Sequence, residues 1–321
     1  MQLEIQQTGR PGMSLGYLVF EVRQPEAWRD FAIRILGCQP AEDDGGEALG
    51  LRIDEAAWRI LLRPGKSDDI AVLGWVLADA AGLHALQARL VAAGVAVEAF
   101  SAADLAARHV QAGLRFRDPL GLVNEAVVGL PQAAAPFHSK LMPGGFCTGE
   151  FGLGHAVLAV GRQAEAAERF YMQALGLALT ERIDTRIGPM KVDGAFLHCN
   201  RRHHSLALIA VPSRKRLLHF MLQANRLRDV GLTLQRARAA GIAPILDLGQ
   251  HPDPDGTVSF YAPTPSGFDF EIGAGSGAID PATHRTEIKT ATSDWGHRPS
   301  LRLKLRGAID MLADRFGRRA A

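Results

Sequence analysis

A unit that occurs twice in one chain must pack the same way twice, so self-similarity constrains a fold more tightly than local propensity does. Here Leu15-Gly16-Tyr17-Leu18-Val19-Phe20-Glu21-Val22 is echoed by Leu153-Gly154-His155-Ala156-Val157-Leu158-Ala159-Val160, and each run leads into a helical pattern ending in Leu-Gly, at 36–37 and 175–176. Both helices carry an apolar face of 3.6 period, Ala27, Trp28, Phe31, Ala32 and Ile35 in one and Ala167, Phe170, Tyr171, Ala174 and Leu175 in the other, so each buries one side against a sheet. A second echo pairs Ala92-Ala93-Gly94-Val95 with Ala239-Ala240-Gly241-Ile242, where each glycine suits a left-handed helix cap. A third pairs Phe116, Gly121 and Glu125 with Phe260, Gly267 and Glu271. Within each copy the order is strand, helix and several short strands (for example 47–53 and 58–63), then the same again.

The pattern predicts an α+β protein of four βαβββ modules, near 15–64, 69–130, 152–211 and 216–274. They pair into two domains, each a curled, incompletely closed mixed β-barrel with its helices outside. The expected boundaries are an extension at 1–12, an N-terminal non-metal domain at 13–130, a Pro/Gly-rich linker at 131–149, a C-terminal catalytic metal-binding domain at 150–275 and a tail at 276–321. In the tail, Ala308, Ile309, Leu312 and Phe316 form a weak apolar helical stripe, expected to pack on the body or on a neighbouring subunit, with a solvated surface helix as the alternative. A length of 321 residues fits two cores.

Composition removes several function classes. With 36 basic against 34 acidic residues there is no field to draw in nucleic acid. The three cysteines, Cys38, Cys147 and Cys199, are too few and too scattered for a disulfide framework or a cysteine-rich zinc site. The start of the chain lacks a signal-peptide pattern, and no stretch approaches the about 20 apolar residues that span a bilayer. The expectation is a cytoplasmic protein with no nucleic-acid or membrane partner. Gly273-Ala274-Gly275-Ser276-Gly277 leads into Ala278-Ile279-Asp280-Pro281 and not into a helix, which argues against a phosphate loop.

Where the two copies differ in chemical type, reactivity is expected. Tyr17 becomes His155, Leu73-Gly74-Trp75-Val76 becomes Leu218-His219-Phe220-Met221, and Glu125 and Glu271 match, so only the second copy owns two histidines and a carboxylate. Side chains alternate along a strand: His155 shares a face with Val157, His219 with Met221, and Glu271 with Asp269, while Phe268, Phe270 and Ile272 take the other side. Taken alone, each histidine reads as an ordinary core or surface residue. Three such positions at module ends, on a curled sheet, can converge on one ion. Two imidazoles and one carboxylate leave coordination positions open, as non-heme Fe(II) oxygenases require, and a catalytic zinc site stays open on the same grounds. His203, His204, His251 and Tyr261 lie in the same half and can supply proton transfer.

These residues resemble the type I extradiol dioxygenases of the vicinal oxygen chelate superfamily, over about residues 13–275. The resemblance is carried by Ser14-Leu15-Gly16-Tyr17, Ala27-Trp28-Arg29-Asp30-Phe31-Ala32, Phe196-Leu197-His198-Cys199-Asn200, His203-His204-Ser205-Leu206-Ala207 and Ser259-Phe260-Tyr261-Ala262-Pro263-Thr264-Pro265-Ser266-Gly267-Phe268. It implies that His155, His219 and Glu271 hold Fe(II), or Mn(II) as in a minority of relatives. By motif position, His204 is the acid/base residue, His251 contacts the substrate-side hydroxyl region and Tyr261 hydrogen-bonds the deprotonated catechol oxygen. The implied reaction inserts both atoms of O2 into a catecholic aromatic, such as 2,3-dihydroxybiphenyl or another bicyclic catechol, opening the ring beside its hydroxyls in aromatic hydrocarbon catabolism. It also implies a homo-oligomer. Val157, Phe196 and Ile209 are expected to line an apolar pocket. Two departures stand out: the stretch from His251 to Tyr261 is one residue longer than usual in the family, with Asp where Asn is common, and position 203 is also histidine. His198, His284 and His297 read as structural or surface residues. The alternatives are a glyoxalase-like isomerase or lyase built on a zinc or nickel Lewis acid, with an extra carboxylate or amide ligand, and a non-enzymatic small-molecule-binding protein.

Overall fold

The computed structural model describes residues 12–42, 48–187 and 190–317. Almost all of the 1–12 extension, and Glu47 in the expected strand at 47–53, lie outside the described residues.

The βαβββ module is present four times. The first module runs β1 (Met13–Val22), α1 (Pro25–Phe31), β2 (Gln39–Pro40), β3 (Leu49–Arg52) and β4 (Ile60–Pro64). The second runs β5 (Asp69–Leu77), α2 (Ala80–Ala92), β6 (Val97–Ala99), a short added α3 (Ala102–Arg108), β7 (Gly113–Arg117) and β8 (Val123–Val128). After the connecting stretch come β9 (His155–Ala159), α4 (Ala164–Arg169), β10 (Ala178–Ile187), β11 (Met190–His198) and β12 (Leu206–Ile209). The fourth module is β13 (Leu217–Gln223), α5 (Leu227–Ala239), β14 (Leu246–Gln250), β15 (Val258–Pro263) and β16 (Asp269–Ala274). The tail adds β17 (Glu287–Lys289) and α6 (Leu301–Gly317).

The strands form two mixed sheets, ordered β2-β3-β4-β1-β5-β8-β7-β6 and β14-β15-β16-β13-β9-β12-β11-β10-β17. Apart from β17, the second order repeats the first, with the two modules of each sheet meeting antiparallel at β1–β5 and at β13–β9. The echo extends to detail: α1 and α4 each continue as a π-helical turn, Ala32–Leu36 and Phe170–Leu175, closed by the left-handed glycines Gly37 and Gly176. A wider turn fits the bulky Phe170, Tyr171 and Leu175 against the sheet, all three being buried.

One connected apolar cluster runs between the sheets and their helices, from Met13 and Trp28 through Phe220, Phe268 and Ile272. Each sheet turns its other face around a smaller apolar cluster of its own, with Tyr17, Trp58 and Val127 in the first and Val157, Ile183 and Ile209 in the second. The alternation read from the sequence holds: Phe268, Phe270 and Ile272 face the shared core, while Glu271 points into the second cup.

The tail departs from expectation. The segment Glu287–Lys289 pairs parallel with β10, although its sequence carries little strand pattern. Helix α6 meets the body through charge, Arg306 with Asp269 and Arg214 with Asp310, and its apolar stripe faces outward, with Leu301, Leu305, Ile309 and Leu312 all about half exposed or more. These two ion pairs on buried carboxylates, with a third from Arg162 to Asp314 at 3.6 Å, set the rotation of the helix, so the stripe does not pack on the body. The Phe316 side chain lies outside the described residues.

Candidate metal centre

Three adjacent strands of the second sheet, β9, β13 and β16, each send one side chain into the cup. Met221 pairs across to His155 on one side and to Glu271 on the other, which places His155 and Glu271 level, and His219 lies two residues away on the face that Met221 shares. His155 Nε2 lies 3.1 Å from Glu271 Oε2, His219 Nε2 lies 3.4 Å from the same oxygen, and the two imidazole nitrogens are 3.4 Å apart. Ligands at right angles on an ion at roughly 2.0–2.2 Å would stand about 3 Å apart, so this triangle has the size of one face of a coordination sphere. Glu271 Oε2 is buried and has no hydrogen-bond partner, a costly condition unless something cationic meets it. Burial works against charge on Glu271, but His155, His219 and His251 around it hold its carboxyl well below the usual range. Burial, opposed by Glu271, keeps His155 below its ordinary value, hence neutral as a metal ligand must be. No fourth His, Cys, Asp or Glu joins the group among the described residues, unlike the extra-ligand arrangement expected of a glyoxalase-like site.

The first sheet shows why the same scaffold without the histidines holds no such centre among the described residues. Glu125, the counterpart of Glu271, accepts from the Tyr17 hydroxyl at 2.6 Å and pairs with Arg108 at 2.9 Å and Arg115 at 3.0 Å. Its charge is already met by guanidinium groups. Tyr17 also fills the volume that the His219 position would need: a Cβ on Gly74 would sit 2.3 Å from the tyrosine ring.

Around the triad stand the other residues singled out in the sequence. His204, just before β12, stacks on His155 with ring centroids 4.0 Å apart, and Phe196 meets it edge-on at 4.8 Å. Burial first, then the neighbouring imidazoles of His155 and His203, keep His204 well below its ordinary value and so uncharged. His204 Nδ1 and His203 Nδ1 are 3.0 Å apart, so one ring donates to the other. On the opposite side Tyr261 pairs across to Glu271, and its hydroxyl lies 2.8 Å from His251 Nε2. Burial and the nearby carboxylate push the Tyr261 hydroxyl well above 10.0, so it stays protonated. Burial opposes charge on His251, but Glu271 and Asp255 raise it to about 9. Val157 and Ile209 belong to the apolar cluster of this cup, with Phe196 packed on it.

Three further residues enter for which the sequence showed no part in the site. The longer loop after His251 carries Asp255 inward, where it forms a second ligand-type group with His203 and His204 and accepts from Thr257 at 2.5 Å and Ser276 at 2.9 Å. The Thr292 carbonyl accepts from His251 Nδ1 at 2.7 Å. His297, expected to be structural or surface, is buried with its ring 4.6 Å from that of His251. No periodicity connects a tail segment to a strand some 40 residues away, so only the loop's His-Pro-Asp-Pro-Asp departure could have signalled any of this. His198 is buried against Thr180 at 2.8 Å, and His284 Nε2 lies 2.9 Å from the Thr180 carbonyl oxygen, both away from the triad.

Residues 152–272 match the glyoxalase/bleomycin resistance protein/dioxygenase superfamily, and residues 15–65 match the dihydroxybiphenyl dioxygenase BphC D1 family. The chain is 41% identical over 291 residues to biphenyl-2,3-diol 1,2-dioxygenase of Paraburkholderia xenovorans, covering 89% of this chain and 95% of the relative. It is 36% identical to an iron-dependent extradiol dioxygenase of Rhodococcus jostii, covering 88% and 96%. Among solved structures, a halotolerant catechol dioxygenase superposes with a TM-score of 0.82 at 32% identity, covering 91% of this chain and 96% of that one.

Proposed function

The chain belongs to the extradiol dioxygenases of the glyoxalase/bleomycin resistance protein/dioxygenase superfamily, and from that membership we propose that it opens a catechol-type ring beside its two hydroxyls, at Fe(II) held by His155, His219 and Glu271. The observation that carries the reading is the triangle of 3.1–3.4 Å closed by a buried, unpartnered carboxylate oxygen. Two nitrogens and one oxygen leave half of an octahedron open, and when bound there iron supplies a common meeting point and an electron path for the diol and O2. Iron is preferred over manganese on the likeness to an iron-dependent relative.

The protein's own groups do the rest. Tyr261, kept protonated, donates a hydrogen bond toward a substrate oxygen that has lost its proton. His251 holds that hydroxyl from behind, its Nδ1 fixed by the Thr292 carbonyl. On the other side of the triad the uncharged His204 carries a nitrogen that can take up or return a proton as the ring opens. Phe196, Val157 and Ile209 offer an apolar wall, which favours a bicyclic or substituted catechol over a charged one.

The test is oxygen uptake by anaerobically iron-loaded protein against a panel of mono- and bicyclic catechols. Stoichiometric uptake with a coloured ring-opened product, abolished by chelation and restored by Fe(II), is the expected result. Absence of uptake with every diol in the panel contradicts the proposal.

A further inference from the structure

The tail reaches into the site, and its contribution is a geometric one. Segment Thr292–His297 is stitched to the end of β14 by backbone bonds, Gln250 N–H to the Trp295 carbonyl at 3.0 Å and Asp294 N–H to the Gln250 carbonyl at 2.9 Å. This brings the His297 ring over His251 at 4.6 Å with the planes tilted by 41°, and edge-on to Tyr261 at 5.5 Å.

The proton positions of each ring follow from its partners. The Thr292 carbonyl can only accept, so His251 Nδ1 carries a proton, and the positively charged ring carries a second on Nε2, which donates to the Tyr261 hydroxyl oxygen and leaves the tyrosine its own proton. The Ser259 carbonyl can only accept, so His297 Nε2 is protonated, donating at 3.1 Å, and its Nδ1 accepts from the Ser293 hydroxyl at 2.7 Å. His297 is thereby locked in its own plane, at a left-handed backbone φ of 47° that few non-glycine residues adopt.

Two hydrogen bonds along the Nδ1–Nε2 line of His251 fix its ring lengthwise but leave it free to rock about that line. The His297 ring, packed against one side of it at a tilt of 41°, restricts this rocking. We propose that His297 is a positioning residue that acts through His251, its locked ring serving as the plate that sets the plane in which His251 presents Nε2 to Tyr261. The proposal rests on the function argued above, since it gives His251 a place in the reaction.

A crossed pair of variants separates the plate from the hydrogen bonds. His297→Phe keeps a flat ring without the bonds to Ser259 and Ser293, and His297→Gln keeps a donor and an acceptor without the ring. Turnover is measured per bound iron, so that lost folding or lost metal does not count as lost positioning. Because an ångström of misplacement can cost about 100-fold, His297→Gln is expected to lower kcat on the order of 10–100-fold with a smaller change in KM, and His297→Phe to recover most of it. Equal turnover per iron in His297→Gln and wild type, or equal loss in both variants, overturns the assignment. A second readout needs no turnover: in crystals of the zinc-loaded protein, the plane of the His251 ring is kept in wild type and His297→Phe and turns about the Nδ1–Nε2 line in His297→Gln. An unchanged plane in His297→Gln contradicts the proposal. If wild type takes up no oxygen, the extradiol reading fails, and the ring plane still decides whether His297 orients His251.

Discussion

At the scale of single residues, His155, His204 and His251 in the second cup are held in their charge states by their surroundings. The same principle has a consequence for folding at His198. Burial first, then the neighbouring His284 and His203, push this ring from its ordinary 6.5 down to about 4. The folded state therefore resists a proton that the unfolded chain accepts, so stability is whole above about pH 6.5 and falls as the pH drops toward 4. We expect the urea midpoint to decline across that window and the decline to flatten in His198→Gln; an unchanged slope would show that the ring does not govern it. The ligand-type residues were legible in the sequence because the duplicate supplies its own control: a histidine at 155 stands out against Tyr17, and His219 against Gly74. His297 had no counterpart to stand out against, and Asp255 lay in a loop whose path no pattern specifies.

Individual strands place these side chains, and their approach is set by what lies between them. Gly154 precedes His155 at a positive φ of 150°, and a Cβ there would sit 1.9 Å from the Met221 carbonyl oxygen on β13. Gly154→Ala is thus expected to push β9 and β13 apart and to spread His155 from His219. Iron per chain should fall well below one in this variant; full iron content would mean that the strand spacing does not control the centre. Helices and strands of the four modules were readable because period and caps agree, as at Gly94 and Gly241, both left-handed with φ near 75°. The π-helical turns at Ala32–Leu36 and Phe170–Leu175 were not, because an apolar stripe of 3.6 period looks the same until the last turn widens. Which way the stripe of α6 faces was left open for a related reason: the helix is held by Arg306 on Asp269 and Asp310 on Arg214, partners that no helical period reveals.

For the whole molecule, the repeat dictates two cups, and an aromatic cluster ties them together. Trp28 and Phe20 from the first sheet's modules meet Phe220 and Phe268 of the second at centroid distances of 5.0–6.3 Å, and the Trp28 indole N–H donates to Ser266 at 2.8 Å. Truncation of a buried indole typically costs about 3–5 kcal/mol, so Trp28→Ala should lower the midpoint of a single shared unfolding transition. Two separate transitions, only one of them shifted, would show that the sheets unfold independently. The first cup pairs its carboxylate with Arg108 and Arg115, whereas in the second Glu271 Oε2 faces imidazoles alone and has no hydrogen-bond partner. Crystals grown anaerobically with Fe(II) and measured at the iron absorption edge test that asymmetry most directly. The account predicts one anomalous peak per chain, about 2.0–2.3 Å from His155 Nε2, His219 Nε2 and Glu271 Oε2. A peak at His203, His204 and Asp255 instead, or beside Glu125, would contradict it.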